Sequence, residues 1–517
     1  MLVGPPFGPD LKARLREHDF DCWARPRPRI DDAGTGRHRG SGMTGSIGLS
    51  PNATVALRSR PGRALIATTT LASMVGFLDA NVVNVAVPSI GRNLHAGVSA
   101  LQWTVTGYLV TAAALLLLSG ALADRFGRKR ILVTGLWIML LAGVWCASSP
   151  AIGWLVAGRI VQGVGAALVV PSSLALLNGT LRADDRARGI GVWAGLATLG
   201  TTAFPYLGGW LVDHASWRYV FVLALPLILL AFLGLHAIPD ITPPTPGFSL
   251  DLSGATLAVI GLGGVIYAAT AGGTSGWLTA KVLVTGGIGV LALGALAPIE
   301  RRIKAPMLRL SLFRSRQFDA INVATLIFYG ALGAASYLLV LQCELRLGYS
   351  ASAAGAVLIP ESVVFLSLAP VSGALVARIG ARWLMVAGMS TAAIAFALLS
   401  GLHRGNAYAV AILPGTLLWG LGLGLLVTPL TAAVLAAVSD DDLGEATAVN
   451  DAAARVGAVV VIALVPALVG ATGGRTLGEA LGTGYRGAMV LLAIASALTA
   501  AIVARFVTDS PAAANGQ

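Results

Sequence analysis

Charge is scarce in this chain. Only 12% of its 517 residues are Asp, Glu, Lys or Arg, while 56% are hydrophobic and the mean hydropathy is +0.78; an ordinary soluble domain carries about a quarter charged residues. A water-solvated globule is thereby excluded. Cysteine is also rare. Cys22, Cys146 and Cys343 stand singly in a polar lead-in, inside an apolar run and at a run's edge, which excludes a disulfide framework and a thiolate metal cluster. The six histidines (His18, His38, His95, His214, His236 and His403) fall in the lead-in, in loops or at the ends of apolar runs, without metal-ligand spacing. No metal is expected, and a membrane metalloenzyme is set aside. No GxxxxGK[ST] stretch occurs, which excludes a P-loop ATP-driven pump. A net charge of +12 would ordinarily raise nucleic acid as a partner. Here the cations are spread through short loops between apolar runs, where they record membrane topology, so nucleic acid is not expected.

What the chain does have is long apolar runs. Residues 1–62 are rich in Pro, Gly, Arg and Asp and read as a disordered tail; Met43 makes residues 1–42 a candidate for a misassigned start. From Arg63 onward fourteen segments of transmembrane length follow, near 64–88, 101–123, 131–149, 153–177, 190–212, 219–237, 253–271, 281–298, 318–342, 352–377, 383–401, 408–437, 446–471 and 486–506, each close to the roughly 20 residues a bilayer needs. An even number places both termini on one side. That side holds 27 of the 36 Lys and Arg, the other seven, so both termini read as cytoplasmic. Prolines 171, 205, 226, 360, 370, 429 and 466 inside spans leave backbone groups that neighbours or a cavity must satisfy, a pattern of transporters and channels. Abundant Ala, Gly and Arg with only four lysines point to a GC-rich bacterial genome, hence the bacterial inner (plasma) membrane.

Three acids sit well inside spans: Asp79, Glu361 and Asp451. A carboxylate in hydrocarbon must be neutralised, paired or turned toward water, so such residues are functional candidates. Asp79 lies about 24 Å beyond Arg63 along a helix; it can carry a proton, or lock span one by an inter-helix hydrogen bond. Glu361 follows Pro360 about ten residues into its span and can bind a cation, accept a proton, or simply bond a nearby carbonyl. Asp451 and Arg455 are spaced i, i+4, which allows an ion pair on one helix. Arg159, Gln162, Gly163 and Ala166 form one polar and small stripe along span four. An arginine keeps its charge there, so its natural role is to act on a nearby acid. Aromatics such as Phe77, Trp103, Tyr206, Phe328 and Trp419 are candidates for an apolar cavity wall.

The loop after span two reads Gly120-Ala-Leu-Ala-Asp124-Arg125-Phe-Gly127-Arg128-Lys129-Arg130, which resembles the signature of the major facilitator superfamily. A weaker copy, Gly373-Ala-Leu-Val-Ala-Arg378-Ile-Gly380-Ala-Arg382, follows span ten and suggests internal duplication, with Ala377 where the first copy has Asp124. Leu78-Asp79-Ala-Asn81-Val-Val-Asn84-Val-Ala-Val-Pro88, Gln102-Trp103 with Tyr108, Arg159-Ile-Val-Gln162-Gly163, and Gly200-Thr-Thr-Ala-Phe204-Pro205-Tyr-Leu-Gly208-Gly209 are similar to motifs of the fourteen-spanner drug:proton antiporters (EmrB/QacA-like). The last departs from its pattern at Phe204, where that family has glycine.

The resemblance implies an all-α polytopic membrane protein with the major facilitator fold: a six-helix bundle over 63–237, linkers and two inserted helices over 238–317, a second six-helix bundle over 318–507, and a cytoplasmic tail over 508–517. It implies no enzyme but a monomeric secondary transporter that exports a small lipophilic substrate by alternating access, driven by the proton gradient with no cofactor; the acids favour cationic compounds. The implied roles are proton coupling for Asp79, Arg159, Glu361 and Asp451; a substrate cavity at Asn81, Asn84, Trp103, Tyr108, Gln162, Tyr206 and Phe328; gating at Gly120, Asp124, Arg125, Gly127, Arg128, Arg378 and Gly380; and the antiporter motif at Gly200, Phe204, Pro205, Gly208 and Gly209. In that fold Asp124 would cap the helix of span thirteen, with Arg125, Arg128 and Lys129 facing Asp440, Asp441, Asp442 and Glu445 as a cytoplasmic latch. A metabolite facilitator or importer, or a non-transporting membrane sensor, stands as the alternative.

Overall fold

The computed structural model describes residues 55–238, 251–303, 310–405, 407–439, 442–471 and 475–509. The expectations for residues 1–54, for most of the Pro-rich linker, for Asp440 and Asp441 and for the tail from residue 510 lie outside the described residues. Within them the chain is helical apart from turns and one isolated bridge. The first half comprises α1 (Arg60–Asn81), α2 (Val87–Leu94), α3 (Val98–Ala114), α4 (Leu116–Phe126), α5 (Arg128–Ala147), α6 (Ile152–Thr180), α7 (Ala183–His214), α8 (Tyr219–Val222) and α9 (Leu225–Leu235). A hairpin follows, α10 (Leu252–Ser275) and α11 (Ala280–Glu300). The second half comprises α12 (Arg316–Leu345), α13 (Ala351–Ala356), α14 (Ile359–Ile379), α15 (Ala381–Leu399), α16 (Tyr408–Ala411), α17 (Leu413–Ala436), α18 (Leu443–Leu468) and α19 (Leu477–Phe506). Eleven helical stretches of the described residues are long and apolar enough to cross a membrane.

Prolines explain most of the interruptions. Pro88, Pro226, Pro360 and Pro414 each stand in the first two positions of a helix that resumes after a break, where the missing N–H costs nothing and the ring favours a fresh start. In span one the break is a tight 3-10 turn over Val82–Ala86, directly after Asp79 and Asn81. Pro171, Pro205, Pro370, Pro429 and Pro466 stay inside continuous helices.

Two ends differ from the sequence reading. The lead-in taken as disordered through residue 62 is anchored from Val55: its N–H donates to the Thr180 carbonyl at 2.8 Å, the Arg182 N–H returns to the Val55 carbonyl at 3.1 Å, and the Leu57 N–H donates to Asp185 at 2.8 Å. Ser59 then caps α1, satisfying a first-turn donor that has no partner within the helix. The last span starts at Leu477 rather than 486, because Thr476 and Glu479 form a reciprocal capping box.

Small residues set the helix spacing. On α6, Gly165 lies against Gly135 and Met139 of α5, and in the second half Gly388 of α15 lies against Gly422 of α17, so close that a β-carbon would collide with the opposing backbone. Such contacts supply the packing that apolar burial cannot provide between helices already in lipid. The hairpin bridges the halves: Leu262, Ile266 and Ala269 of α10 pack with Val110 and Ala114 of α3 and with Val459 and Ala463 of α18. Its second helix turns Leu283, Val290 and Leu291 outward, a surface suited to lipid.

The halves also meet at the end that carries the 95–97 and 346–350 turns. There a β-carbon at Gly209 of α7 would strike the Ala351 backbone, and one at Gly355 of α13 would strike the Pro205 carbonyl. Nearer the middle, the Gln102 amide of α3 donates to the Ile462 carbonyl of α18.

Candidate functional site

Asp79 sits on the last turn of α1 before the 3-10 break, with 0% of its surface exposed. Its Oδ2 accepts a hydrogen bond from Gln162 Nε2 at 2.7 Å, while Oδ1 is buried without a partner. Arg159, one turn before Gln162 on α6, is equally buried. Its guanidinium donates three ways: Nε to the Thr104 carbonyl at 2.9 Å, Nη1 to Gln162 Oε1 at 2.6 Å, and Nη2 to the Asp79 main-chain carbonyl at 3.0 Å. It also lies 4.4 Å from the Tyr108 ring centroid, a cation–π arrangement. The Tyr108 hydroxyl in turn donates to the Gly76 carbonyl at 2.6 Å. Gly163 makes this possible by letting α6 approach the Tyr108 carbonyl of α3.

The guanidinium therefore reaches the Asp79 carboxylate through an amide. Gln162 donates to the acid with one end and accepts from the arginine with the other, so one side chain links the two charged groups. Arg159 keeps two backbone carbonyls whatever the acid does, which fixes the cation. The free Oδ1 leaves the acid one site at which to bind a proton. The stripe read from the sequence thus faces α1 and α3; that Gln162 rather than Arg159 holds the carboxylate was not legible in it.

The two copies of the loop motif adopt the same backbone. Gly127, between α4 and α5, has φ +97°, and Gly380, between α14 and α15, has φ +87°, a region that side chains with a β-carbon avoid. In the first copy Arg128 donates to the Ala175 carbonyl at 3.1 Å and Lys129 to the Ile238 carbonyl at 2.7 Å, both in the first half; Gly120 has open space beside it, Arg125 stacks beside Phe126, and the Asp124 side chain lies outside the described residues. In the second copy Arg378 is exposed, and the acid comes from elsewhere. The Asp509 carboxylate lies against Gly380 and accepts the Arg382 N–H at 2.8 Å, occupying the N-terminus of α15, where a carboxylate is favoured. Asp509→Ala is expected to cost about 1 kcal/mol and to speed deuterium exchange at the first turn of α15, as read by mass spectrometry.

A family model described as "Major Facilitator Superfamily" matches residues 69–251 and 321–517. The chain belongs to the Major Facilitator Superfamily. It is 33% identical over 394 residues to the multidrug resistance protein Stp of Mycobacterium tuberculosis, covering 75% of this chain and 72% of that one. It is 32% identical to the methylenomycin A resistance protein of Bacillus subtilis (78% and 87% covered) and to the puromycin resistance protein pur8 of Streptomyces alboniger (76% and 79%). Among solved structures it is similar in fold to the inward open conformation of the xylose transporter XylE from E. coli, with TM-score 0.60, 16% identity and 87% and 97% of the chains covered. It is likewise similar to a POT family transporter in complex with 5-aminolevulinic acid, with TM-score 0.65, 14% identity and 89% and 99% covered. The chain is thus a multi-pass membrane transporter and not an enzyme, with the major facilitator fold.

In this transporter the remaining candidates are spread over several places. Tyr108 and Gln162 belong to the Asp79 cluster. Asn81 Nδ2 donates to the Phe77 carbonyl at 2.9 Å, and Asn84 is buried with Oδ1 unpartnered. Trp103 packs with Tyr267 of α10, ring centroids 6.1 Å apart, so it touches the inserted hairpin. Tyr206 is exposed, and Phe328 is fully buried edge-on to Tyr329. Asp451 and Arg455 form the i, i+4 pair at 3.0 Å and stay partly exposed. Glu361 lies in the first turn of α14, accepting from Ser362 at 3.0 Å. In the antiporter motif Gly200 lies against Met74, Gly208 against Val82 of the 3-10 turn, and the buried Phe204 ring lies over Gly200 on its own helix. Asp213 and Glu344, which the sequence reading passed over, stand where α7 and α12 meet the opposite half. Both lie just past the end of an apolar run, which is why they read as loop residues.

Proposed function

We propose that this chain is a proton-coupled exporter of small lipophilic compounds, drugs or antibiotics, working by alternating access in a bacterial plasma membrane. The observation that carries this reading is the buried Asp79, with one free carboxylate oxygen and the other wired through Gln162 to a fixed cation. The resistance proteins named above support export as the direction. In this reading the chain crosses fourteen times, with the interrupted α1–α2, α3–α4, α8–α9, α13–α14 and α16–α17 each counting once, as two six-helix bundles around the α10–α11 hairpin; both termini then share one side, and the Lys and Arg bias supports the cytoplasm. The functional unit is the monomer, and it needs no cofactor beyond the proton gradient. Asp79 loads a proton on Oδ1; this weakens the hydrogen bond that Oδ2 accepts from Gln162, and the α1 break beside it passes that change to α7 through Val82 and Gly208. Asp451, Arg455 and Glu361 contribute charge on the second half's side, and cationic substrates suit the two acids.

Reconstituted vesicles test this. With an inside-acid gradient and the cytoplasmic face outward, adding a transported compound is expected to raise lumenal pH as protons leave in exchange. Substrate flux without any pH response would favour a facilitator, the reading that Phe204 supports by filling the position where antiporters carry glycine.

A further inference from the structure

At the end where the halves meet, polar contacts at Asp213 and at Glu344 cross between them. Asp213, near the end of α7 in the first half, accepts the Ala351 N–H at 2.9 Å with Oδ1 and the Ser352 N–H at 2.8 Å with Oδ2. It therefore caps α13 of the second half, holding two of its orphan donors. Beside it, Glu344 of α12 reaches back to the first half: its Oε1 lies 4.0 Å from Arg92 Nη2 of α2. The partners are unequal, since the Arg92 side chain is 67% exposed and that of Glu344 only 7%. Glu344 Oε2 is buried with no hydrogen-bond partner.

The charge balance at this junction is uneven. Asp213 of α7 is near enough for its charge to act on Glu344, as is Arg92. The 3-10 turn Val82–Ala86 and α13 carry no charged side chain. Arg346, two residues on, lies along Gly482 of α19, while Glu479 at the start of that helix is bonded to Thr476. Closure thus brings two carboxylates together with one largely solvated cation. A cavity of about 780 Å³ reaches Arg92 and the neighbouring Leu345, beside the nearly buried Glu344 side chain.

We propose that Glu344 is a proton-binding site of the outer gate, taking a proton from the outer medium as the two halves close there and returning it when they part. Parting the halves exposes the carboxylate to water, where it is stable as an anion; closing them strips water from an oxygen that has no donor to replace it. A proton on Oε2 removes that cost and the repulsion from Asp213. Outer acidity therefore favours the closed gate. The proton never crosses the membrane, so the site sets how transport depends on outer pH without changing how many protons are exchanged. This requires the alternating access read above, not the proton coupling.

Distance measurement between spin labels tests it in the full chain in lipid nanodiscs. Ala215→Cys and Ala407→Cys place labels at exposed positions at the outer ends of the two halves, in a Cys22→Ser background where Cys146 and Cys343 are buried. In wild type the short outer distance is expected to gain population on acidification, with the closed-to-open ratio changing about tenfold for each unit by which the two states differ in proton affinity. Glu344→Gln should hold the acid-side distribution at every pH. Arg92→Gln, at an exposed side chain that leaves packing intact, should instead widen the response and move its midpoint upward by up to about one unit. A Glu344→Gln protein that follows pH as wild type does would overturn the proposal, as would an Arg92→Gln response that matches wild type. A wild-type distance fixed across pH would also overturn it. If substrate leaves that distance fixed as well, alternating access itself fails. Proton exchange in the vesicle assay is scored separately and stands or falls on Asp79.

Discussion

In the vesicle assay, Asp79→Asn is expected to abolish substrate-evoked proton release, lowering coupled transport by about 100-fold or more, the equivalent of about 2.7 kcal/mol. The substitution keeps the shape of the side chain. Asparagine can still accept from Gln162 Nε2 through its carbonyl oxygen, so the contact that docks α1 on α6 survives. What disappears is the group that changes charge. The buried Oδ1 position becomes an amide that neither gains nor loses a proton at any pH the membrane experiences. Expression, thermal stability and binding of a labelled substrate should stay near wild type. Retained proton release would remove Asp79 from the coupling step and leave Glu361 and Asp451 as the carboxylates to test.

The second large effect falls on stability. Arg159→Ala is expected to cost about 3–5 kcal/mol, because it leaves a buried charge and several buried acceptors without their partner. Asp79 loses the buried cation beside it, and the Thr104 carbonyl, the Asp79 carbonyl and Gln162 Oε1 lose the donors that Arg159 supplies. The melting temperature in detergent, followed by size-exclusion chromatography, should fall well below that of wild type. Arg159→Lys should recover little of the loss. An ammonium carries the charge but cannot spread three donors in one plane or lie flat on the Tyr108 ring. A lysine variant as stable as wild type would show that charge alone holds the cluster, and that the forked geometry contributes nothing.

These two residues also mark how far the sequence could be read. An acid inside the first apolar run and an arginine inside the fourth are visible to anyone counting charges, and both proved to share one buried cluster. Arg159, Gln162 and Gly163 read as one stripe of α6, and in the structure they lie against α1 and α3. The glycines of the duplicated loop were legible as well, since Gly127 and Gly380 take the same left-handed backbone. The sequence reading went wrong where a helix end depends on a reciprocal cap, as at Thr476 and Glu479, or on a tertiary contact, as at Val55. It was blind to Trp103 turning toward Tyr267, and to Asp509 supplying beside Gly380 the acid that the second copy lacks at Ala377.

The sequence by itself determined that the chain lives in a membrane, roughly where its helices run, and which buried charges are candidates for function. Each of these follows from composition, period or motif, and none requires knowing how one helix is turned against another. The tertiary structure alone decided that Gln162 stands between Arg159 and Asp79, that α10 bridges α3 and α18, and that Asp213 and Glu344 meet the opposite half. A helix apolar on all sides has no sequence-encoded inward face. Its rotation is settled by which small residues let which backbones approach, and that choice belongs to pairs of helices rather than to any one of them.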